Sequence, residues 1–277
     1  MEDLSIPEIV VVSLVLFLVV FGFLSLVFSI FYLQTERVYA FIFKKPFYVH
    51  YYPFPKCLET ANQSLLRQHS TFYNRLTPKR KIYFEHRICR FIDRYEFIGR
   101  EDFEVTDEVK IRIAISYITL SFGMRNYLLD IFDRVIVYPG AYYSKYSESY
   151  HKGEFNPGMR AIAFSWQDFV AGNDIANDNL NLGIHEFAHV LHYHGTKHSD
   201  VSAAIFTQVY DRISDEVSHP GNRQRLTDAG YFRDYAFTNT YEFLAVILEH
   251  YFETPQEFKA KFPPLYANVS KMLNHKH

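Results

Sequence analysis

Cysteine, net charge and repetition are scarce in this chain. Its 277 residues hold two cysteines, Cys57 and Cys89, too few for a disulfide scaffold and suited to a reducing compartment. The 29 Lys and Arg nearly cancel the 31 Asp and Glu, which argues against nucleic-acid binding as the main role. No internal repeat, low-complexity tract or long linker follows Pro55. A G-x-S-x-G elbow, a phosphate-binding loop and paired-cysteine metal motifs are also absent, so none of those chemistries competes for the functional assignment.

Charge is missing altogether from residues 9–33, IVVVSLVLFLVVFGFLSLVFSIFYL. At ~1.5 Å per helical residue this run exceeds the ~30 Å hydrocarbon core of a bilayer, so it predicts a transmembrane helix. A buried core helix rarely reaches that length without a polar face. A cleaved signal peptide would have a basic start and a shorter apolar run. Here Glu2, Asp3 and Glu8 precede it, and Gln34-Thr35-Glu36 follows. No Lys or Arg precedes the run, whereas Arg37, Lys44 and Lys45 follow it, which places the remainder in the cytoplasm by the positive-inside rule. We therefore expect a stub over 1–8, a span over 9–33 and an uncleaved inner-membrane anchor. An aromatic juxtamembrane segment over 34–55, a domain over 56–265 and a tail over 266–277 complete the expected organisation. The aromatics of 34–55 suit either the headgroup zone or docking onto the domain behind them.

Within the domain the apolar spacing predicts helices near 62–73, 79–97, 109–120, 178–193, 201–217 and 240–253. Thr106-Asp107-Glu108 marks a helix start. Residues 133–138 read as a strand stopped by the Pro139-Gly140 turn, 160–165 as a second strand, and 171–179 as polar loop. The mixture predicts an α+β fold, mostly helical with a small sheet.

The chemistry concentrates in His185-Glu186-Phe187-Ala188-His189. On a helix, His185 and His189 stand one turn apart on nearly one face, so both imidazoles can reach one ion, and neutral imidazoles suit Zn²⁺. Glu186 lies beside that face, where a carboxylate can accept a proton from water. Asn177 and Asp178 are candidate caps for the start of this helix, and Gly195 for its end. A catalytic zinc needs a third protein ligand. His192 shares the face but is ~10 Å along the axis from His185, too far to join one ion, and His194 and His198 read as exposed histidines or adventitious metal sites. The third-His position of an extended metal motif is Gly195. The remaining candidate is Glu242, in an apolar helix. Its spacing from Asn239 also reads as a capping box. Glu249, two turns on, is placed either to orient a ligand histidine or to sit on a polar stripe.

At these residues the chain resembles a known family. From about 79 to 265 it is similar to the Mlc titration factor A family of zinc metallopeptidases. The matching stretches, in the family's order, are Thr106-Asp107-Glu108-Val109, Val135-Ile136-Val137-Tyr138-Pro139-Gly140-Ala141, and Ser165-Trp166-Gln167-Asp168 with Gly172. They continue with the histidine motif at 185–189 and with Tyr235-Ala236-Phe237-Thr238-Asn239-Thr240-Tyr241-Glu242, which runs into Phe243-Leu244-Ala245-Val246. The Tyr235/Glu242 spacing is also similar to that in the catalytic domain of anthrax lethal factor. The resemblance implies a gluzincin-type zincin site: His185, His189 and Glu242 on zinc, Glu186 as general base, and Tyr235 stabilising the oxyanion. It also implies a peptide or protein substrate, or else a module that sequesters a transcriptional regulator with little hydrolysis. The chain departs from the family pattern at His192, where an Asp usually follows Leu191, and in its added membrane segment. An intramembrane protease is disfavoured because the motif lies between polar stretches rather than in an apolar span.

Overall fold

The computed structural model describes residues 6–56, 58–144, 148–174 and 177–275. Cys57 and the acidic Glu2 and Asp3 lie outside them. The chain forms two units, divided after Phe47.

The first unit is dominated by helix α1 (Ile6–Phe43), 38 residues long. Its charge-free run is exposed on every side, and it is long and apolar enough to cross a membrane. The helix outlasts the expected end at Leu33 because charge alone does not stop a helix. Glu36 and Arg37 continue it, and Lys44, in the left-handed region at φ 52°, ends it. The Lys44 N–H donates to Ala40 O at 2.9 Å. Phe47 then folds back on the last turns, with its ring 4.6 Å from that of Tyr39. Much of the expected juxtamembrane segment is therefore helix.

The second unit, Tyr48–His277, opens with α2 (Thr60–His69), α3 (Thr71–Arg75), α4 (Pro78–Arg94), β1 (Glu96–Gly99) and α5 (Asp107–Ser121). Strands β2 (Arg134–Tyr138), β3 (Tyr142–Ser144), β4 (Ser149–His151), β5 (Gly153–Asn156) and β6 (Ala161–Ser165) come next. Helices α6 (Trp166–Asp174), α7 (Leu182–Lys197), α8 (Val201–Ser218) and α9 (Pro220–Asp228) follow. A 3-10 turn (Asp234–Phe237) precedes α10 (Thr240–Glu253), α11 (Pro255–Lys261) and α12 (Pro263–Met272). Pro78, Pro220, Pro255 and Pro263 each start a helix, where the missing N–H costs nothing. The fold is the expected mostly helical α+β class with a small mixed sheet.

The sheet runs β1-β2-β6-β5, parallel except for the antiparallel edge strand β5, whose Gly153 pairs with Phe164. β3 and β4 form a separate hairpin. Phe187 of α7 is fully buried where helix meets sheet, 5.5 Å from the Phe164 ring and 4.9 Å from Tyr117 of α5. α6 follows β6 directly and carries helix into the first part of the expected 171–179 loop: Asp168 N–H donates to Ser165 Oγ at 3.3 Å, and Ser165 Oγ–H donates to the Asp168 carboxylate at 2.6 Å. The Ser165 hydroxyl thus caps the first turn of the helix, while the Ser165 N–H donates to Lys152 O at 2.6 Å. α12 carries helix past residue 265, and Val269 and Met272 join the core.

A charged residue fixes the start of this unit. Arg87 is completely buried. It donates to Ser121 O at 3.0 Å, Phe122 O at 3.3 Å and Met124 O at 2.8 Å, satisfying carbonyls at and beyond the end of α5. It also bonds Val49 O at 3.3 Å and Tyr52 Oη at 2.7 Å. Residues 49–52 are thereby tied to the core.

Candidate metal centre

Helix α7 is built for burial. Its N-cap is Asn181, whose Oδ1 accepts from Ile184 N–H at 2.9 Å. Asn177 and Asp178 do not cap it; Asp178 turns the preceding loop by accepting from Leu180 N–H at 3.1 Å. Nor does Gly195 end it. The helix runs to Lys197, and a Cβ on Gly195 would meet Thr207 Oγ1 at 2.4 Å, so this glycine lets α8 approach.

The first turns of α7 present His185 and His189, ring centroids 4.8 Å apart and perpendicular. Glu242 faces them from the first turn of α10. Asn239 caps α10 by accepting from Glu242 N–H at 2.9 Å, so the capping half of the expected motif is present. The Glu242 carboxylate reaches across to α7, with Oε2 3.1 Å from His185 Nε2 and 3.6 Å from His189 Nε2. One ligand atom from each of the three residues lies within 4.8 Å of the others. Glu242 Oε2 is buried without an aligned hydrogen-bond donor among the described residues. Two imidazoles and a carboxylate converging with an unsatisfied oxygen among them fit a divalent metal ion.

Behind the ligands stands a second layer of charge. Glu249 is fully buried, and its Oε1 is 2.7 Å from His185 Nδ1. Arg233 grips the same carboxylate, donating through Nη2 to Oε1 at 2.8 Å and through Nη1 to Oε2 at 3.0 Å. The carboxylate behind His185 thus comes from α10, across the helix pair from the α7 motif. Burial opposes a proton on His185, yet Glu242 and Glu249 on its two nitrogens outweigh it and lift the imidazole to about 10. Burial, with the His185 charge, lowers His189 to about 3. His185 thus faces a carboxylate from each nitrogen, and a metal ion held at Nε2 would compete with a proton there.

Glu186 is 6% exposed, beside the ligands and against β5. A Cβ on Gly153 would meet Glu186 Cγ at 2.6 Å, so only glycine leaves this carboxylate its place. Burial, against the opposing charge of His185, raises Glu186 to about 7, where a carboxylate can both take and return a proton at neutral pH. Tyr235, on the 3-10 turn, is half exposed, its ring 6.0 Å from His185. Burial and the adjacent Glu242 raise its phenol to about 12, leaving it a hydrogen-bond donor. A cleft of about 460 Å³ opens here, lined among others by Lys152, Gly153, Glu186, Arg233 and Tyr235.

The other histidines of α7 do not join. His192 packs between Tyr210 and Tyr241, 4.4 and 5.0 Å from their rings. His194, expected to be exposed, is buried with Nε2 2.9 Å from Asp200 Oδ2, and Asp200 itself caps α8. Sequence reasoning did not find Gly153, Arg233 or Tyr241, whose ring stacks on His189 at 3.9 Å. Arg233 and Tyr241 sit next to recognised positions, but nothing in the sequence singles out Gly153.

The sequence profile of the glucose-regulated metallo-peptidase M90 family matches residues 52–273. The chain belongs to that family. An uncharacterized protein of Synechocystis sp. is 27% identical over 233 residues, 76% of this chain and 82% of the relative. Mlc titration factor A of Yersinia pestis is 24% identical over 203 residues, 66% of this chain and 73% of the relative. The same protein of Yersinia pseudotuberculosis matches equally. Membership in this metallo-peptidase family fits the metal-ready cluster, and the match begins at the segment Arg87 holds.

Proposed function

We propose that the chain is a zinc-dependent peptidase held at the inner membrane by α1, with its metal centre on the cytoplasmic side. The observation that carries the reading is the convergence of His185, His189 and Glu242 with the buried Glu186 beside them. His185, His189 and Glu242 would hold the ion. Bound zinc supplies Lewis acidity, polarising a carbonyl and making water a stronger acid. Glu186 takes the proton from the attacking water and delivers it to the leaving amine. Tyr235 donates a hydrogen bond to the oxygen that becomes negative as the carbonyl turns tetrahedral. Glu249, itself gripped by Arg233, fixes the ring orientation of His185. β5 is the edge strand of the sheet beside Glu186, where an extended peptide can add as a further strand. The membrane placement rests on the apolar length of α1 and on Arg37, Lys44 and Lys45 after its charge-free run.

The test is metal analysis of the purified full chain in detergent with a peptide-library digest, using Glu186→Gln as control. That variant should retain the metal and lose turnover.

The name of the Yersinia relatives favours one alternative, a regulatory module that captures a transcriptional regulator at the membrane with little hydrolysis. Capture that survives both Glu186→Gln and metal removal would support it over the enzyme.

A further inference from the structure

A second cavity, of about 490 Å³, lies on the side of α7 that carries Ile184, bounded by α2, α3, α5, α6 and the end of α10. Its size is that of a small-molecule site, and its lining is polar where a packed core would be apolar. Ser116 and Thr119 of α5 are 3% and 6% exposed, and neither hydroxyl has a hydrogen-bond partner among the described residues. Buried hydroxyls are stabilised by a hydrogen-bond partner, so two in one cavity wall suit a polar occupant.

The lining is also charged, with opposite signs on different elements. Arg75 of α3 is exposed and has no ion-pair partner among the described residues. Glu253, at the end of α10, also lines the cavity. Its Oε2 accepts from Asn179 N–H at 2.8 Å, and burial, with the charges of Asp178 and Glu249 adding, raises it to about 7. Phe72 and Phe252, with Ile115 and Ile184, supply the apolar part of the wall.

We propose that this cavity is a second ligand site, binding a small zwitterion of free-amino-acid size. The carboxylate would pair with Arg75, the ammonium with Glu253, and the side chain would lie against Phe72 and Phe252. The hydroxyls of Ser116 and Thr119 would bond the polar groups between. A neutral polyol leaves both charges unanswered, and an anion alone leaves Glu253 so. The site is separate from the metal centre but shares a wall with it. Asn181, the N-cap of α7, borders both cavities. The inference does not depend on the peptidase reading.

The test is calorimetric or ligand-observed NMR titration of the full chain in detergent with L-leucine. Leucinamide, 4-methylpentanoate and glycerol serve as probes lacking one charge or both. Leucine should bind, and loss of either charge should weaken binding about tenfold or more. Arg75→Gln, at an exposed position that leaves the fold intact, should weaken leucine to the same degree. Thr119→Val should weaken it as well while leaving the melting temperature equal or higher, because it removes an unpaired hydroxyl. Glu242→Gln, which removes the proposed third metal ligand, should bind leucine as the parent chain does. The proposal is overturned if leucine does not bind at millimolar concentration. It is equally overturned if leucine binds no better than leucinamide and 4-methylpentanoate, or if Arg75→Gln binds it unchanged. Loss of binding in Glu242→Gln would assign the leucine to the metal centre instead.

Discussion

The two halves of α7 carry the same residue type and have different fates. His185 and His189 in its first half point at a carboxylate from α10. His192 and His194 in its second half meet tyrosine rings and a helix-capping aspartate. All four ride one helix, so helical spacing alone does not make a ligand. What separates the pairs is the element opposite: α10 starts at Asn239, which puts Glu242 level with the first pair and Glu249 behind it. A metal centre is made by where two helices begin, and the histidine motif supplies half of it.

The largest effect is expected at Glu186, beside the first pair of histidines. Glu186→Gln should lower kcat/KM about 10³-fold with metal content unchanged, in line with the 10²–10⁴ contributed by general bases. Gly153→Ala tests the same carboxylate from the sheet side. The added methyl group must displace Glu186, and kcat should fall while the melting temperature moves far less. Next comes the buried support. Glu249→Gln should weaken zinc binding about 10–100-fold, as removal of a carboxylate behind a ligand histidine does elsewhere, read by competition with a chelating dye. The smallest effect belongs to the other half of α7. His192→Gln should leave zinc affinity unchanged, and a loss as large as that of Glu249→Gln would erase the distinction drawn here.

A second contrast concerns how histidines are buried. His50 is pushed down to about 2 by burial, then by Arg87, Arg80 and His275. Its folded value lies below the unfolded 6.5, so the unfolded chain binds the proton first. Stability is therefore lost as pH falls from about 6.5 toward 2, at up to about 1.4 kcal/mol per pH unit for this one group. His50→Phe should flatten that slope between pH 6.5 and 4 in denaturant titrations of the full chain.

The sequence made the centre legible where local rules apply. The spacing of His185 and His189, the cap at Asn239 and the apolar run of α1 are all local, and the structure contains each feature. Position across the fold was less legible. Glu249 reads equally well as a polar stripe until α7 is seen to bury it. β5 carries Gly153 and lies at the sheet edge. Its four residues are too short and too polar to show strand alternation, and β1 continues the apolar spacing of α4 and reads as helix. Helix ends were misjudged where a tertiary contact decides them, as at Gly195, which α8 covers. The resemblance to the metallopeptidase family pointed to Glu242 and Tyr235, and the structure brings Glu242 together with His185 and His189, but the resemblance said nothing of Arg233 or of the second cavity.

The most direct test of the central claim is zinc content and peptide turnover of the full chain, measured together for the parent and for Glu186→Gln. The account predicts one zinc per chain in both and turnover only in the parent. Sub-stoichiometric zinc in the parent, or parental turnover in Glu186→Gln, would contradict it.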